Sequence, residues 1–232
     1  MAFDYDFCVI ITSYNREEKL KNLLNQISEY KDLKIFVYVF DDSSFPVYDI
    51  SEFNVFKITY VKNNGKKKFW KIISDTYKLC KNINSKYYIY LQDDVVLKEN
   101  FFQEAVRLYE KIEDPKKISL NTLILENQRG KPKWTNFDPE EYDEYYKTQW
   151  TELFFISERK FFEVLNYEVE PVNNKRWDSN PYLSTGVGSQ ISERLLKLGY
   201  NQYQVKNSLM KHGDHESVLF GEYRGEEKLI AL

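Results

Sequence analysis

At 232 residues, with 42% apolar and 30% charged residues, the chain has the length for one sizeable core and a globular composition rather than a disordered one. Its 33 Lys and Arg against 36 Asp and Glu give a formal charge of −3, mixed along the chain, without the concentrated basic face that nucleic acid requires. No apolar run approaches the length that crosses a bilayer, and the opening MAFDYDFCVIITSYN lacks a signal-peptide layout. With only Cys8 and Cys80, both in apolar-periodic segments, these features predict a cytoplasmic protein with reduced, buried thiols.

The first half alternates strand and helix. Residues 7–12 (FCVIIT) are a continuous, β-branched apolar run, as in a strand covered on both faces. A helix is predicted over 16–29, with Leu20, Leu23, Leu24 and Ile27 at helical spacing, Asn15 as its N-cap and Glu17 and Glu18 in its first turn. A second strand, 35–40, ends at Asp41-Asp42-Ser43-Ser44, and a weaker third covers 55–61. After Asn63-Asn64-Gly65, a helix over 67–81 carries Phe69, Ile73 and Cys80 on one side and Trp70 and Tyr77 on another. The fourth strand, 87–91, runs into Gln92-Asp93-Asp94, and an amphipathic helix over 99–112 follows.

The second half is less regular. It reads as a strand over 119–125, an irregular, Tyr-rich stretch over 131–146 running into a short helix, and a strand over 150–156. A helix over 158–165 and a loop over 169–185 precede a helix over 188–198 that Gly199 closes. The tail from Tyr203 ends in the polar residues 211–216. The expectation is one α/β domain over 1–232: a mostly parallel central sheet with helices on both faces over 1–115, and an irregular half over 116–232.

Polar residues cluster just after three strands, at 12–16, 41–44 and 92–94, on the edge where open α/β sheets bind ligands. The cluster at 92–94 is the most informative. Two neighbouring carboxylates at the end of a buried strand repel each other and are costly to desolvate unless a cation compensates. A divalent cation with oxygen ligands takes one or two carboxylates and completes its shell with phosphate oxygens.

VIITSYNREEKLKNLLNQI, VFDDSS and YIYLQDDVVL, in that order and spacing, resemble the opening half of a GT-A fold nucleotide-sugar glycosyltransferase, similar to glycosyltransferase family 2. The resemblance implies a nucleoside pocket lined by Thr12, Tyr14 and Arg16, with Asp42 or Asp41 hydrogen-bonding the base. Asp93 would face the ribose or sugar, and Asp94 would ligate Mn²⁺ or Mg²⁺ bridging the diphosphate. Gln92 replaces the commoner first acid of the family's metal motif and keeps at most a donor contact. Lys68, in the run 66–68, would aid phosphate or base binding. SLMKHGDHES resembles a later segment whose His completes the metal shell, with His212 the better match and His215 the reserve.

An inverting enzyme also needs a carboxylate to deprotonate the acceptor hydroxyl. Gly188 and Ser189 stand near the family's usual acid, leaving Asp178 and Glu152 as substitutes, or a retaining reaction that needs no such base. Trp134, Trp150, Trp177 and Tyr182 would form the acceptor platform. The implied activity is sugar transfer from a nucleoside-diphosphate sugar, UDP-sugar first, to a glycan or glycoconjugate. A catalytically inactive glycan- or nucleotide-binding module is the alternative. A nucleotidyltransferase is disfavoured because VIITSYNREE has no Gly-rich phosphate loop.

Overall fold

The structure, a computed structural model, describes residues 2–124, 139–151, 153–178, 180, 184–212, 216–217 and 222–223. In chain order its elements are β1 (Tyr5–Ser13), α1 (Glu17–Ser28), β2 (Ile35–Asp41), β3 (Phe56–Thr59), α2 (Gly65–Cys80), β4 (Ser85–Gln92), β5 (Val95–Leu97) and α3 (Phe101–Lys111). There follow β6 (Lys117–Asn121), β7 (Glu140–Glu141), β8 (Tyr145–Thr148), β9 (Phe155–Ser157), α4 (Lys160–Val164), a 3-10 turn (Asn174–Trp177), α5 (Val187–Lys197), β10 (Asn201–Val205) and β11 (Met210–His212).

Nine strands form one sheet in the order β3-β2-β1-β4-β9-β6-β10-β8-β7. The first four are mutually parallel, as helical crossovers demand, and β6 and β10 are parallel to each other. The antiparallel strands β9 and β8 sit between and beside them. Side chains alternate along β1, so Phe7, Val9 and Ile11 pack with α1 and α3 on one face. Cys8 and Ile10 pack with α2, α4 and α5 on the other. Burial on both faces is why residues 7–12 are apolar without interruption. Both cysteines are buried free thiols. No helix among the described residues is long and apolar enough to cross a membrane.

The second half departs from the sequence expectation. The described part of 131–146 holds β7 and the start of β8 rather than a helix. The strand expected over 150–156 begins only at Phe155. Asn201–Val205 is a strand in the sheet interior although it reads as polar. Tyr203 and Val205 face one core, while the amide of Gln202, on the other side, donates to the Ser192 carbonyl at 3.2 Å and its oxygen accepts from the Thr151 hydroxyl. Buried glutamines with partners cost little, and they hide the strand from a reading of apolar pattern.

Asn15 is not the cap of α1. It adopts a left-handed φ of 51°, and no side chain caps the helix. Asparagine tolerates that conformation. Its backbone N–H donates to Ser44 Oγ at 2.8 Å, and its side-chain oxygen accepts from the Phe45 N–H at 2.9 Å. The residue ties the turn after β1 to the turn after β2.

Candidate functional site

The parallel strands β1, β2 and β4 bring their polar ends to one edge. Asp93 N–H donates to the Thr12 carbonyl at 3.1 Å, and Asp42 N–H to the Ser13 carbonyl at 3.0 Å, so the ladder sets the height of both acidic turns. Asp93 and Asp94 are only 3% and 6% exposed. Asp93 accepts from Ser13 Oγ at 2.7 Å, from Tyr14 N–H at 3.3 Å and from Arg16 Nη1 at 3.2 Å. The same Arg16 nitrogen lies 2.5 Å from Asp94 Oδ2.

Burial first, and the neighbouring Asp94 charge second, push the Asp93 carboxyl up to about 6, against the opposing pull of Arg16 and Ser13. For Arg16, burial works against the charge, but Asp94 and Asp93 together outweigh it and hold the guanidinium above its ordinary value. The Arg16 backbone N–H in turn donates to the Tyr48 hydroxyl.

The acids after β2 are engaged differently. Asp41 is fully buried and accepts from the N–H and hydroxyl of Ser44, with Lys57 Nζ at 3.8 Å. Asp42 accepts from Asn64 N and Nδ2, both at 2.8 Å, from Gly65 N at 3.1 Å and from Asn63 Nδ2 at 3.1 Å. Its carboxylate therefore sits on the start of α2, where the helix dipole favours an anion. Lys66, Lys67 and Lys68 fill that first turn, and Lys68 is exposed.

From Asp94 the chain continues directly into β5, which pairs antiparallel with β11, and Val95 stands opposite His212. The backbone of His212 is thus brought beside the acid pair from the far end of the described chain. Among the remaining candidates, Thr12 is buried, Tyr14 and Gln92 are half-buried, and Asp178 is exposed at the end of the 3-10 turn. Trp177 is buried, with Arg176 Cζ at 5.5 Å and Lys66 Nζ at 6.0 Å from its ring centroid. It borders a cavity of about 360 Å³ with Asn64, Gly65, Lys66 and Lys67. Trp150 is half-buried, while Glu152, Trp134, Tyr182 and His215 lie outside the described residues.

No cluster of three or more His, Cys, Asp and Glu side chains is assembled among the described residues. The acid pair nevertheless fits a hard divalent cation: two buried carboxylates, side by side, both reached by a single cationic nitrogen. Tyr48 and the 63–65 turn were not foreseen as parts of this edge, and Ser13 and Ser44, though within its expected polar clusters, were given no role of their own. Ser13 had a signal, a hydroxyl within the TSYNR turn; Tyr48 had none.

No protein-family model and no curated protein matches the sequence. Solved structures do. Staphylococcus aureus TarS 1-349 superposes with a TM-score of 0.59 at 13% identity, over 90% of this chain and 60% of that one. The mannosyltransferase PcManGT from Pyrobaculum calidifontis, in complex with GDP-Man and Mn²⁺, gives 0.58 at 12%, over 94% and 62%. A mycobacterial protein gives 0.57 at 11%, over 92% and 69%. The chain spans about three-fifths of the length of the first two. At such identities the likeness establishes a shared fold, the α/β architecture with a mostly parallel central sheet.

Proposed function

We propose that the chain is a metal-dependent GT-A glycosyltransferase, moving a sugar from a nucleoside-diphosphate sugar to a hydroxyl of a glycan or glycoconjugate. The observation that carries this reading is the buried Asp93–Asp94 pair at the carboxyl end of β4, flanked by the turn after β1 and by the β5–β11 pairing. Mn²⁺ or Mg²⁺ would be held by Asp94, with His212 as a further ligand, and would supply charge neutralisation on the departing diphosphate.

Thr12 and Tyr14 line the nucleoside end of the pocket, Asp93 the ribose or sugar, and Lys68 lies toward the phosphates. Trp177 and Trp150 form the acceptor side, and Asp178 takes the acceptor proton. The donor nucleotide is UDP or GDP; the likeness to a GDP-Man complex gives GDP equal standing with the UDP favoured by the motif resemblance.

A second reading has one observation in its favour. The first turn of α5, where the family's base is expected, carries no acid. That suits a nucleotide- or glycan-binding module without transfer activity.

Thermal melts of the chain with UDP, GDP, CDP, dTDP and their sugars, each with and without Mn²⁺, test the binding site, since a ligand of the folded state raises the midpoint by mass action. Metal-dependent stabilisation by one nucleotide is expected. Silence from all of them removes the site. Donor hydrolysis or sugar transfer by the same preparation then separates enzyme from binding module.

A further inference from the structure

The residue that holds the acid pair is the N-cap of α1, an unusual place for a cation. Helix N-termini disfavour positive charge, and the two residues that follow Arg16, Glu17 and Glu18, obey that preference. The Arg16 side chain is 15% exposed, and its Nη1 lies 3.2 Å from Asp93 Oδ1 and 2.5 Å from Asp94 Oδ2. A single nitrogen thus bridges the two carboxylates that would hold a divalent ion between them.

Both cations cannot remain there. An ion at oxygen-ligand distance, about 2.0–2.1 Å for Mg²⁺, from the carboxylate oxygens that Arg16 bridges would lie against the guanidinium in a poorly solvated site where like charges repel strongly. Metal entry therefore requires Arg16 to leave. A displaced guanidinium needs oxygen acceptors in a planar, forked arrangement, and a diphosphate supplies them.

We propose that Arg16 is an intramolecular counter-ion that competes with the divalent metal for Asp93 and Asp94 and transfers to the donor diphosphate when the metal binds. This rests on the glycosyltransferase reading and adds an order to it. The metal binds weakly alone, because the competent state is the minor one with Arg16 withdrawn. Nucleotide, by giving Arg16 a new partner, raises metal affinity, and metal raises nucleotide affinity by the same factor.

The test measures Mn²⁺ binding by the loss of its free-ion EPR signal, with UDP, with GDP and with neither, for the wild type and for Arg16→Gln, Arg16→Lys and Asp94→Asn. Arg16→Gln is expected to bind Mn²⁺ without nucleotide about tenfold more tightly than the wild type, as when a one-in-ten competent fraction becomes the whole population. It is also expected to lose most of the nucleotide-induced gain. Arg16→Lys, which keeps a charge but not the fork, is expected to fall between, and carries the test if the glutamine variant does not fold.

Equal Mn²⁺ affinity in the wild type and both Arg16 variants, with Asp94→Asn weakened, overturns the counter-ion role and leaves the metal site standing. Wild-type protein that binds no Mn²⁺ under any condition overturns the metal site itself.

Discussion

Asp42 and Asn64 are joined twice: the carboxylate accepts both the backbone N–H and the side-chain amide of Asn64, each at 2.8 Å. With Gly65 N–H at 3.1 Å on the other oxygen, the acid that ends one strand's turn becomes the anchor of the next helix. Asp42→Ala is expected to destabilise the chain by about 1–3 kcal/mol in urea unfolding, through a lost helix anchor and orphaned polar groups. A variant of unchanged stability that no longer binds nucleotide would instead assign the carboxylate to base recognition.

Asp94→Asn is expected to remove metal-dependent stabilisation by nucleotide while the chain stays folded. His212→Ala is expected to raise the Mn²⁺ requirement on the order of tenfold, the scale on which even an outer partner of a metal ligand acts. Titrating Mn²⁺ against fixed nucleotide in a thermal melt reads both. An unchanged midpoint shift in Asp94→Asn would falsify the metal assignment.

Glu144 fastens the β7–β8 turn to α3. Arg107 first, then Lys111, hold its carboxyl down at about 2 from an ordinary 4.5. An acid with a depressed folded value stabilises fully above its unfolded value and loses that contribution as pH falls through the folded one. The wild type should therefore exceed Glu144→Gln in melting temperature at pH 6, with the gap closing between about 4.5 and 2. Salt should shrink the gap, because the pair is at the surface. A gap that is constant with pH would remove the ion pair as its cause.

Tyr77 is buried in the core around α2, its ring edge-on to Phe161 and Phe162 at 5.7 and 5.0 Å, and its hydroxyl meets no hydrogen-bond partner among the described residues. Tyr77→Phe keeps those ring contacts and removes a desolvated polar group. It is expected to be neutral or stabilising by about 1 kcal/mol. A clear loss of stability would mean that the hydroxyl has a partner, such as a buried water.

The parallel core of the fold was legible because burial on both faces writes itself into strands such as 7–12 as unbroken apolar sequence. The acid pair was legible for the opposite reason, as charge in an apolar strand. Its counter-ion was not. Arg16 was read as lining the nucleoside pocket, and only the parallel pairing of β1 with β4 brings it to Asp93 and Asp94.

The remaining differences are also contacts distant in sequence. β10 is concealed because Gln202 and Gln204 are buried, and β11 because three residues carry no pattern of their own. Asn15 misled by identity: its side chain is as suited to a left-handed turn as to a helix cap, and the Ser44–Phe45 segment decides between them.

The pairing of β11 with β5 also sets a schedule. A polypeptide leaves the ribosome N-terminus first, so the strands that present Asp93 and Asp94 are complete long before residues 210–212 exist. During that interval the two acids have no clasp from the distal chain, whereas Arg16, made before either of them, is already at hand. In a partly made chain Arg16 is thus available to neutralise the two acids before the distal strand can reach their neighbours.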